Sequence, residues 1–249
     1  MLRYENIAFD YEPYPIGVAA DVFEPKFYER LCATYPEPKL FQHMPKLGNK
    51  YSLSETNNSS NYRQFLKSAP EWRQFHDYVK SREFIERTFK MLDANNIHVP
   101  LRKPKVVSRA GGSSKKTSLL GRLLGRTELN ARFEFSMMGG DGGHIRPHTD
   151  MPRKMITFVF SMVGPDEWDE RWGGSTDVVW PKNPKNLYNE GNKFFEFDDV
   201  TTLKKFMFNP NQAVVFVKTW NSWHAVEPLK APSPANLRKT LTVNIERAV

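Results

Sequence analysis

Two patterns of hydrophobic and polar positions divide the chain. Between Pro70 and Asn95 apolar residues recur three or four positions apart, which places them on one face of a helix. An earlier helix is expected to begin at Pro25, because proline is favoured in the first helical turn and Phe27 and Leu31 share a face. Residues 1 to about 100 are therefore predicted to be mostly helical, with irregular polar loops between the helices.

From residue 130 onward the pattern changes to alternation. Ala131, Phe133 and Phe135 alternate with polar neighbours, as in a strand that buries one face. Further strands are predicted at Met155–Met162, Asp177–Trp180, Phe194–Phe197, Ala213–Val217 and Lys239–Ile245. Many short strands separated by Gly, Pro and Asn indicate an antiparallel sandwich or barrel.

The last predicted strand, within residues 237–246, has two distinct faces. Lys239, Leu241, Val243 and Ile245 form one face, and Arg238, Thr240, Thr242 and Asn244 form the other. If the polar face lines a cavity, Arg238 offers a planar guanidinium to a carboxylate, and Thr240 offers a hydroxyl to the same anion. The alternative is that Arg238 is a solvent-exposed residue of the strand.

Three residues carry the candidate metal chemistry. His148 and Asp150 are two positions apart, so an extended backbone would direct both side chains to one side. His224 follows the apolar strand predicted at 213–217. Two histidines and one carboxylate on one face of a metal leave positions free for oxygen and a bidentate co-substrate, as in non-haem Fe(II) oxygenases. Zinc accepts a similar set, but a hydrolytic zinc site would also need a general base close by.

The order of these residues resembles the 2-oxoglutarate/Fe(II)-dependent oxygenase superfamily, in its prolyl 4-hydroxylase-like branch. The resemblance spans about residues 130 to 246 and rests on His148-x-Asp150, Gly173-Gly174, the apolar strand at 213–216, His224-x-Val226 and Arg238-x-Thr240. It implies that His148, Asp150 and His224 bind Fe(II), that Arg238 pairs with the distal carboxylate of 2-oxoglutarate with help from Thr240, and that O2 is consumed.

The fold that the resemblance implies is mainly β with flanking helices. Its core is a double-stranded β-helix, of the jelly-roll or cupin-like kind, with N-terminal helices packed outside. We expect one domain over residues 1–249, in which residues 1–104 form a helical support region and residues 105–249 form the oxygenase core.

The activity implied is hydroxylation of a substrate with release of succinate and CO2 from 2-oxoglutarate. The expected substrate is a small molecule or a carrier-bound group, anionic or carbohydrate-linked. A peptidyl proline or another protein side chain is the alternative within the same chemistry, and a non-catalytic jelly-roll module that binds glycans is the alternative from another class. Against prolyl hydroxylation, residues 137–142 lack the Tyr that many members of the branch carry, and Arg238 stands where animal prolyl hydroxylases usually have Lys.

Charge and cysteine content change the picture only slightly. The formal net charge is +8, and much of the excess falls in residues 102–126, of which residues 110–126 are rich in Gly, Ser and Lys and are expected to form a mobile loop. One interpretation of this positive charge is that it attracts anionic ligands, and the alternative is that it only keeps a solvated loop soluble. Because this stretch has no interleaved aromatic residues, it does not predict nucleic-acid binding.

No membrane partner is expected. The single cysteine, Cys32, and an N-terminus that lacks an apolar signal region favour a cytoplasmic location.

Four further residues lie near the predicted site. His144 and Arg146 share the parity of His148 along the chain and can reach the same side of a sheet, although an exposed strand or turn position is the more frequent outcome for His144. Trp220 and Trp223 precede His224 and are candidates for a substrate wall, although packing in the core is the more frequent outcome for such aromatics.

Overall fold

The computed structural model describes residues 2–99, 104–106 and 127–247, the middle stretch by its backbone only. The mobile loop predicted at 110–126, and nearly all of the basic stretch 102–126, lie outside the described residues. Within the described ranges, no helix is both long enough and apolar enough to cross a membrane.

The N-terminal part contains four helices and four short strands. In chain order these are β1 (Ala8–Asp10), β2 (Ile16–Ala19), α1 (Pro25–Ala33), β3 (Gln42–Met44), β4 (Lys50–Ser54), α2 (Ser59–Ser68), α3 (Pro70–Val79) and α4 (Arg82–Ala94). The predicted helices are confirmed. The expectation of irregular loops was wrong, because β3 and β4 lie between α1 and α2, and β1 and β2 precede α1. Strands of three to five residues are too short for alternation to reveal them, and they form through pairing with distant strands.

Two helix starts follow from capping. The Glu24 carboxylate accepts hydrogen bonds from the backbone N–H groups of Lys26 and Phe27, which begins α1. The Ser81 hydroxyl accepts from the Phe84 N–H and begins α4 in the same way. Each side chain satisfies N–H groups that have no partner within the first helical turn.

The remaining strands form the core of the molecule. They are β5 (Pro104–Val106), β6 (Thr127–Gly139), β7 (Ile145–His148), β8 (Lys154–Ser161), β9 (Thr176–Pro181), β10 (Val200–Phe206), β11 (Ala213–Val217), β12 (His224–Val226) and β13 (Leu237–Arg247). The strand predicted at Phe194–Phe197 was wrong. Phe194, Phe195 and Glu196 belong to an irregular segment, and a short 3-10 turn begins at Phe197. The segment meets β7, the edge strand of the small sheet, through one backbone bond from the Phe195 N–H to the Pro147 oxygen at 2.9 Å, and it forms no ladder.

Two sheets face each other. The described strands form a nine-stranded sheet in the order β1-β2-β11-β8-β13-β6-β4-β3, with β5 added beside β6, and a four-stranded sheet in the order β10-β9-β12-β7. All pairs are antiparallel except β5 with β6. The arrangement confirms the expected mainly β fold, a double-stranded β-helix core with helices outside it.

The two faces of the large sheet have opposite character. On the outer face the helices cover Leu241, Val243 and Ile245 of β13, all fully buried, and the Trp72 ring of α3 meets Phe135 of β6 at 4.7 Å between centroids. Burial of such large aromatic and aliphatic side chains dominates the stability of a core. The opposite face carries the polar residues of β13 and is turned toward the small sheet, so the fold encloses a polar surface between its two sheets.

Candidate active site

The pairing of β12 with β7 brings two distant histidines together. His224 lies directly opposite His148 in the register of the two strands, and their ring centroids are 4.3 Å apart. One potential ligand atom from each of His148, Asp150 and His224 lies within 4.8 Å of the others, and all three residues are buried. No other cluster of this kind is found among the described residues. The structure therefore assembles the three residues that the sequence singles out.

Asp150 reaches this cluster for a reason that the sequence does not show. Strand β7 ends at His148, and Asp150 has a φ of +66°, in the left-handed region. The expectation that simple alternation along one extended strand aligns the two side chains was therefore wrong. Aspartate is among the few non-glycine residues that adopt this conformation at modest cost, and here it turns the carboxylate toward the histidines.

Both imidazoles are oriented by backbone carbonyl groups. Nδ1 of His148 lies 2.9 Å from the Arg146 oxygen, and Nδ1 of His224 lies 2.9 Å from the Ser222 oxygen. A carbonyl only accepts, so each Nδ1 donates its proton and each Nε2 keeps a free lone pair. Burial and the neighbouring His148 lower the pKa of His224 to about 3, which keeps this ring neutral near pH 7. Neutral imidazole is the form that binds a metal ion.

The Asp150 carboxylate is held through both oxygens. Lys154 donates to Oδ1 at 2.5 Å, and the Thr157 hydroxyl donates to Oδ2 at 3.1 Å. Burial alone would raise the pKa of Asp150, but the charge of Lys154 lowers it well below the usual range, so the group is ionised. Two imidazole nitrogens and an ionised carboxylate are a donor set that fits Fe(II).

The triad opens into a cavity of about 180 Å³ between the two sheets. The polar face of β13 forms part of its wall through Arg238, Thr240 and Thr242, and β6 contributes Ser136 and Met138. The cavity is large enough for a small organic molecule. The alternative in which Arg238 is exposed on the strand is wrong, because only 3% of its surface is accessible.

Arg238 is a buried cation without an ion-pair partner among the described residues. Its Nε donates to the Gly174 oxygen at 2.7 Å, and its guanidinium carbon lies 4.3 Å from the centroid of the Phe208 ring. Burial lowers its pKa to about 10, still high enough for the side chain to be charged near pH 7. A buried charge is stable only when it is paired, so the cavity is suited to an anion at this end. Thr240 lies beside it, with its hydroxyl 2.9 Å from that of Ser136.

The other residues considered from sequence divide into those at the cavity and those away from it. Arg146 lines the cavity, whereas His144 does not, since its Nδ1 bonds the Gly142 oxygen. Trp223 is fully buried and its indole donates to the Leu187 oxygen. Trp220 is 63% exposed. Neither tryptophan lines the cavity.

Sequence reasoning missed several residues that shape the site. Lys154 and Thr157 hold Asp150, and the Phe194 ring stacks on His148 with centroids 5.1 Å apart. A signal existed for Thr157, because it and Ser161 are the only polar residues in the apolar run 155–162. No such signal marked Phe194, which reaches the site from an irregular segment. No tyrosine lines the cavity among the described residues, in agreement with the sequence of residues 137–142.

Comparison with known proteins places this site in a family. Residues 133–246 match the sequence model of the 2OG-Fe(II) oxygenase superfamily. That range contains the triad, Arg238 and Thr240. A search of curated proteins found no match.

Solved structures add information on the fold. The epimerase SnoN from nogalamycin biosynthesis, described as non-heme and alpha-ketoglutarate-dependent, aligns over 99% of this chain and 81% of its own, with a TM-score of 0.51 and 11% identity. A prolyl-4-hydroxylase from Pseudomonas putida aligns over 96% and 95%, with a TM-score of 0.48 and 14% identity. HygX from Streptomyces hygroscopicus, solved with nickel and 2-oxoglutarate, aligns over 93% and 82%, with a TM-score of 0.48 and 8% identity. The likeness to SnoN extends to the fold alone, and the other two add nothing to it.

The family match and the fold agree with the donor set in the cavity. Members of this superfamily use Fe(II), 2-oxoglutarate and O2, and the triad supplies a metal site of the required kind. Residues 133–246 thus match the 2OG-Fe(II) oxygenase superfamily, and the match indicates an oxidoreductase of the dioxygenase type.

Proposed function

We propose that Nε2 of His148, Nε2 of His224 and the Asp150 carboxylate hold Fe(II), and that Arg238 and Thr240 bind the distal carboxylate of 2-oxoglutarate. The observation that carries this proposal is that the triad and an unpaired, buried guanidinium open into the same cavity. A dicarboxylate can thus meet a metal ion at one end and Arg238 at the other. The two negative charges of this dicarboxylate would balance the positive charge of the metal ion and that of the Arg238 guanidinium.

The residues around the triad restrict water at the metal end. The Phe194 ring covers one face of His148, and the Phe216 ring lies 4.3 Å from that of His224 between centroids. When bound, iron, 2-oxoglutarate and O2 supply oxidising chemistry that releases succinate and CO2 and hydroxylates the substrate. The protein binds and orients these groups. Its aromatic rings also exclude water, and the lower dielectric constant strengthens each charge interaction in the cavity.

The substrate that we propose is an anionic small molecule or a carbohydrate-linked group. A peptidyl proline or another protein side chain is the alternative and forms a separate arm of the assay below. A non-catalytic glycan-binding role is set aside, because residues 133–246 match a superfamily of enzymes. We further propose that residues 1–249 act as one domain, since β1 to β4 complete the large sheet. The cytoplasmic location stays a prediction.

The test measures binding first and turnover second. Under anaerobic conditions, Fe(II) and 2-oxoglutarate added to the protein are expected to give a charge-transfer absorption band. The band should be absent in His148→Ala, which removes one ligand. Admission of O2 should then give succinate, with and without a proline-containing peptide. The proposal fails if the wild-type protein gives no band, or if the variant gives the same band. Stimulation by the peptide would favour the protein-substrate alternative.

Gly174 is expected to position Arg238. Its φ is +85°, and a Cβ at this position would lie 3.1 Å from both Cδ and Nε of Arg238. Gly174→Ala should therefore strain the backbone by about 1 kcal/mol and displace the guanidinium, so that the Kd for 2-oxoglutarate rises. Titration calorimetry with a redox-inert metal measures the Kd, and thermal unfolding measures the strain.

The matched control for this variant is Gly142→Ala. Gly142 has a similar φ of +88°, and no atom of the surrounding residues lies within 4 Å of the place where a Cβ would stand. This variant should show the loss of stability without the loss of 2-oxoglutarate affinity. An equal loss of affinity in both variants would mean that general strain, and not contact with Arg238, is responsible.

A further inference from the structure

The cavity carries more positive charge than its own carboxylate neutralises. Its lining includes five basic side chains, Lys46, Lys50, Lys154, Arg146 and Arg238, and one acidic side chain, Asp150. Two carboxylates outside the lining offset part of this charge, Glu134 by pairing with Lys50 and Glu196 by pairing with Arg146. On the proposed function, the charges of Fe(II) and 2-oxoglutarate cancel each other. A net positive charge therefore remains in the cavity, and it would attract an anionic substrate.

Lys46 is the lining lysine that has no ion-pair partner among the described residues. It lies on the 3-10 turn Pro45–Leu47 that joins β3 to β4, and this turn is held in place. Gly48 closes it with a φ of +71°, and the Gly48 oxygen accepts from the His144 N–H at 3.1 Å. The backbones approach so closely that a Cβ at Gly48 would stand 1.9 Å from the His144 oxygen. The turn thus presents Lys46 at a fixed place beside the cavity.

An apolar surface continues from this lysine toward the metal site. Leu47 is 42% exposed and Phe194 is 38% exposed, although both line the cavity. Ile145 lies in the same lining, and Phe194 stacks on His148. Exposed apolar side chains at the entrance of a polar cavity are typical of a surface that contacts a ligand.

We propose that the substrate is a small amphipathic anion. Its carboxylate or phosphate would pair with Lys46, and its apolar part would lie along Leu47 and Phe194, which places a C–H bond near His148. Arg146 can assist, because its exposed pair with Glu196 is weak and its guanidinium already lies 5.4 Å from the Phe194 ring centroid. The inference rests on the proposed function and adds Lys46 as the residue that determines specificity.

The test uses probes of one chain length and different charge. Hexanoate, hexyl phosphate, hexanol and hexylammonium are titrated into protein that is saturated with Zn(II) and 2-oxoglutarate, with binding followed by calorimetry. Binding of 2-oxoglutarate is verified first on each sample. The anions are expected to bind about fivefold more tightly than hexanol, and hexylammonium more weakly than hexanol. The ratio between the two anions shows which headgroup the site prefers. Added salt should reduce the preference for anions.

Three variants make the result specific to Lys46. Lys46→Glu should invert the order, so that hexanol binds more tightly than hexanoate, whereas Lys46→Arg should preserve the preference. Lys67→Glu changes the net charge equally on an exposed position of α2, away from the cavity, and should behave as wild type. Equal binding of hexanol and hexanoate to wild type, or an unaltered preference in Lys46→Glu, would overturn the inference. Absence of 2-oxoglutarate binding would instead remove the proposed function and the inference with it.

Discussion

Replacing His224 with alanine is expected to lower the affinity for Fe(II) by at least about a hundredfold. Loss of a residue that only hydrogen-bonds to a metal ligand and orients it already costs about tenfold to a hundredfold in affinity, and His224 is proposed to be a ligand itself. His224 contributes a neutral Nε2 whose direction is set by the bond from Nδ1 to the Ser222 oxygen. Formation of succinate from 2-oxoglutarate should fall to the background of the metal-free protein. Competition with a coloured chelator measures the affinity, and succinate release measures turnover.

A nearby histidine provides the control for this result. His144 lies in the segment that leads into β7, but its ring faces Phe197 and it is not part of the cavity. His144→Ala should keep the metal affinity and turnover within about twofold of wild type. If both alanine variants bind Fe(II) as tightly as wild type, the metal is held elsewhere. Thermal unfolding of both variants separates loss of ligand from loss of fold.

Most of the core strands could be predicted from the sequence, because the alternation of apolar and polar residues along them corresponds to their two faces in the structure. In β13, Leu241 and Val243 lie on the face that packs against the helices. Arg238 and Thr240 lie on the face that lines the cavity, as the alternation predicts. The register of β13 against β6 preserves this alternation over its whole length, and the register against β8 preserves it from Thr240 to Ile245. A shift of one residue would exchange the two faces, so burial of one face fixes the position of the other.

Other features depend on contacts that no local pattern encodes. The left-handed backbone at Asp150 arises where β7 ends, and Lys154 reaches the carboxylate only because the chain turns back immediately. Strands β2 and β4 are stabilised by partners eighty or more positions away, β4 by β6 and β2 by β11. The turn at Lys46 is similar, since its place at the cavity is set by the hydrogen bond with His144.

Replacing Arg238 with methionine is expected to separate ligand binding from stability. The guanidinium is proposed to pair with the distal carboxylate of 2-oxoglutarate, so its loss should raise the Kd by about a hundredfold, or about 2.7 kcal/mol. Wild-type protein at a ligand concentration a hundred times its Kd should gain about 2.7 kcal/mol of stability, and the variant should gain almost none at that concentration. Chemical denaturation with and without 2-oxoglutarate, in the presence of a redox-inert metal, measures both.

The ligand-free variant should not show the loss of about 3–5 kcal/mol that follows when one partner of a buried ion pair is removed. No described carboxylate lies within ion-pair distance of Arg238, so none would be left unpaired. Burial lowers the pKa of Arg238 below its usual value, to about 10, which means that the folded state holds the proton less tightly than the unfolded chain. Its charge therefore opposes folding fully below pH 10, and the penalty fades as the pH rises above 10 toward the pKa of the unfolded chain.

Arg238→Lys distinguishes charge from geometry. Lysine keeps the positive charge but lacks the planar pair of donors, so its affinity for 2-oxoglutarate should lie between those of arginine and methionine. It also lacks Nε and cannot reproduce the bond to the Gly174 oxygen. If methionine retained the wild-type affinity, the anion would have to be bound by other residues of the cavity. If methionine instead destabilised the ligand-free protein by several kcal/mol, Arg238 would be a structural cation whose partner is part of the protein, and 2-oxoglutarate would not be needed to explain its burial.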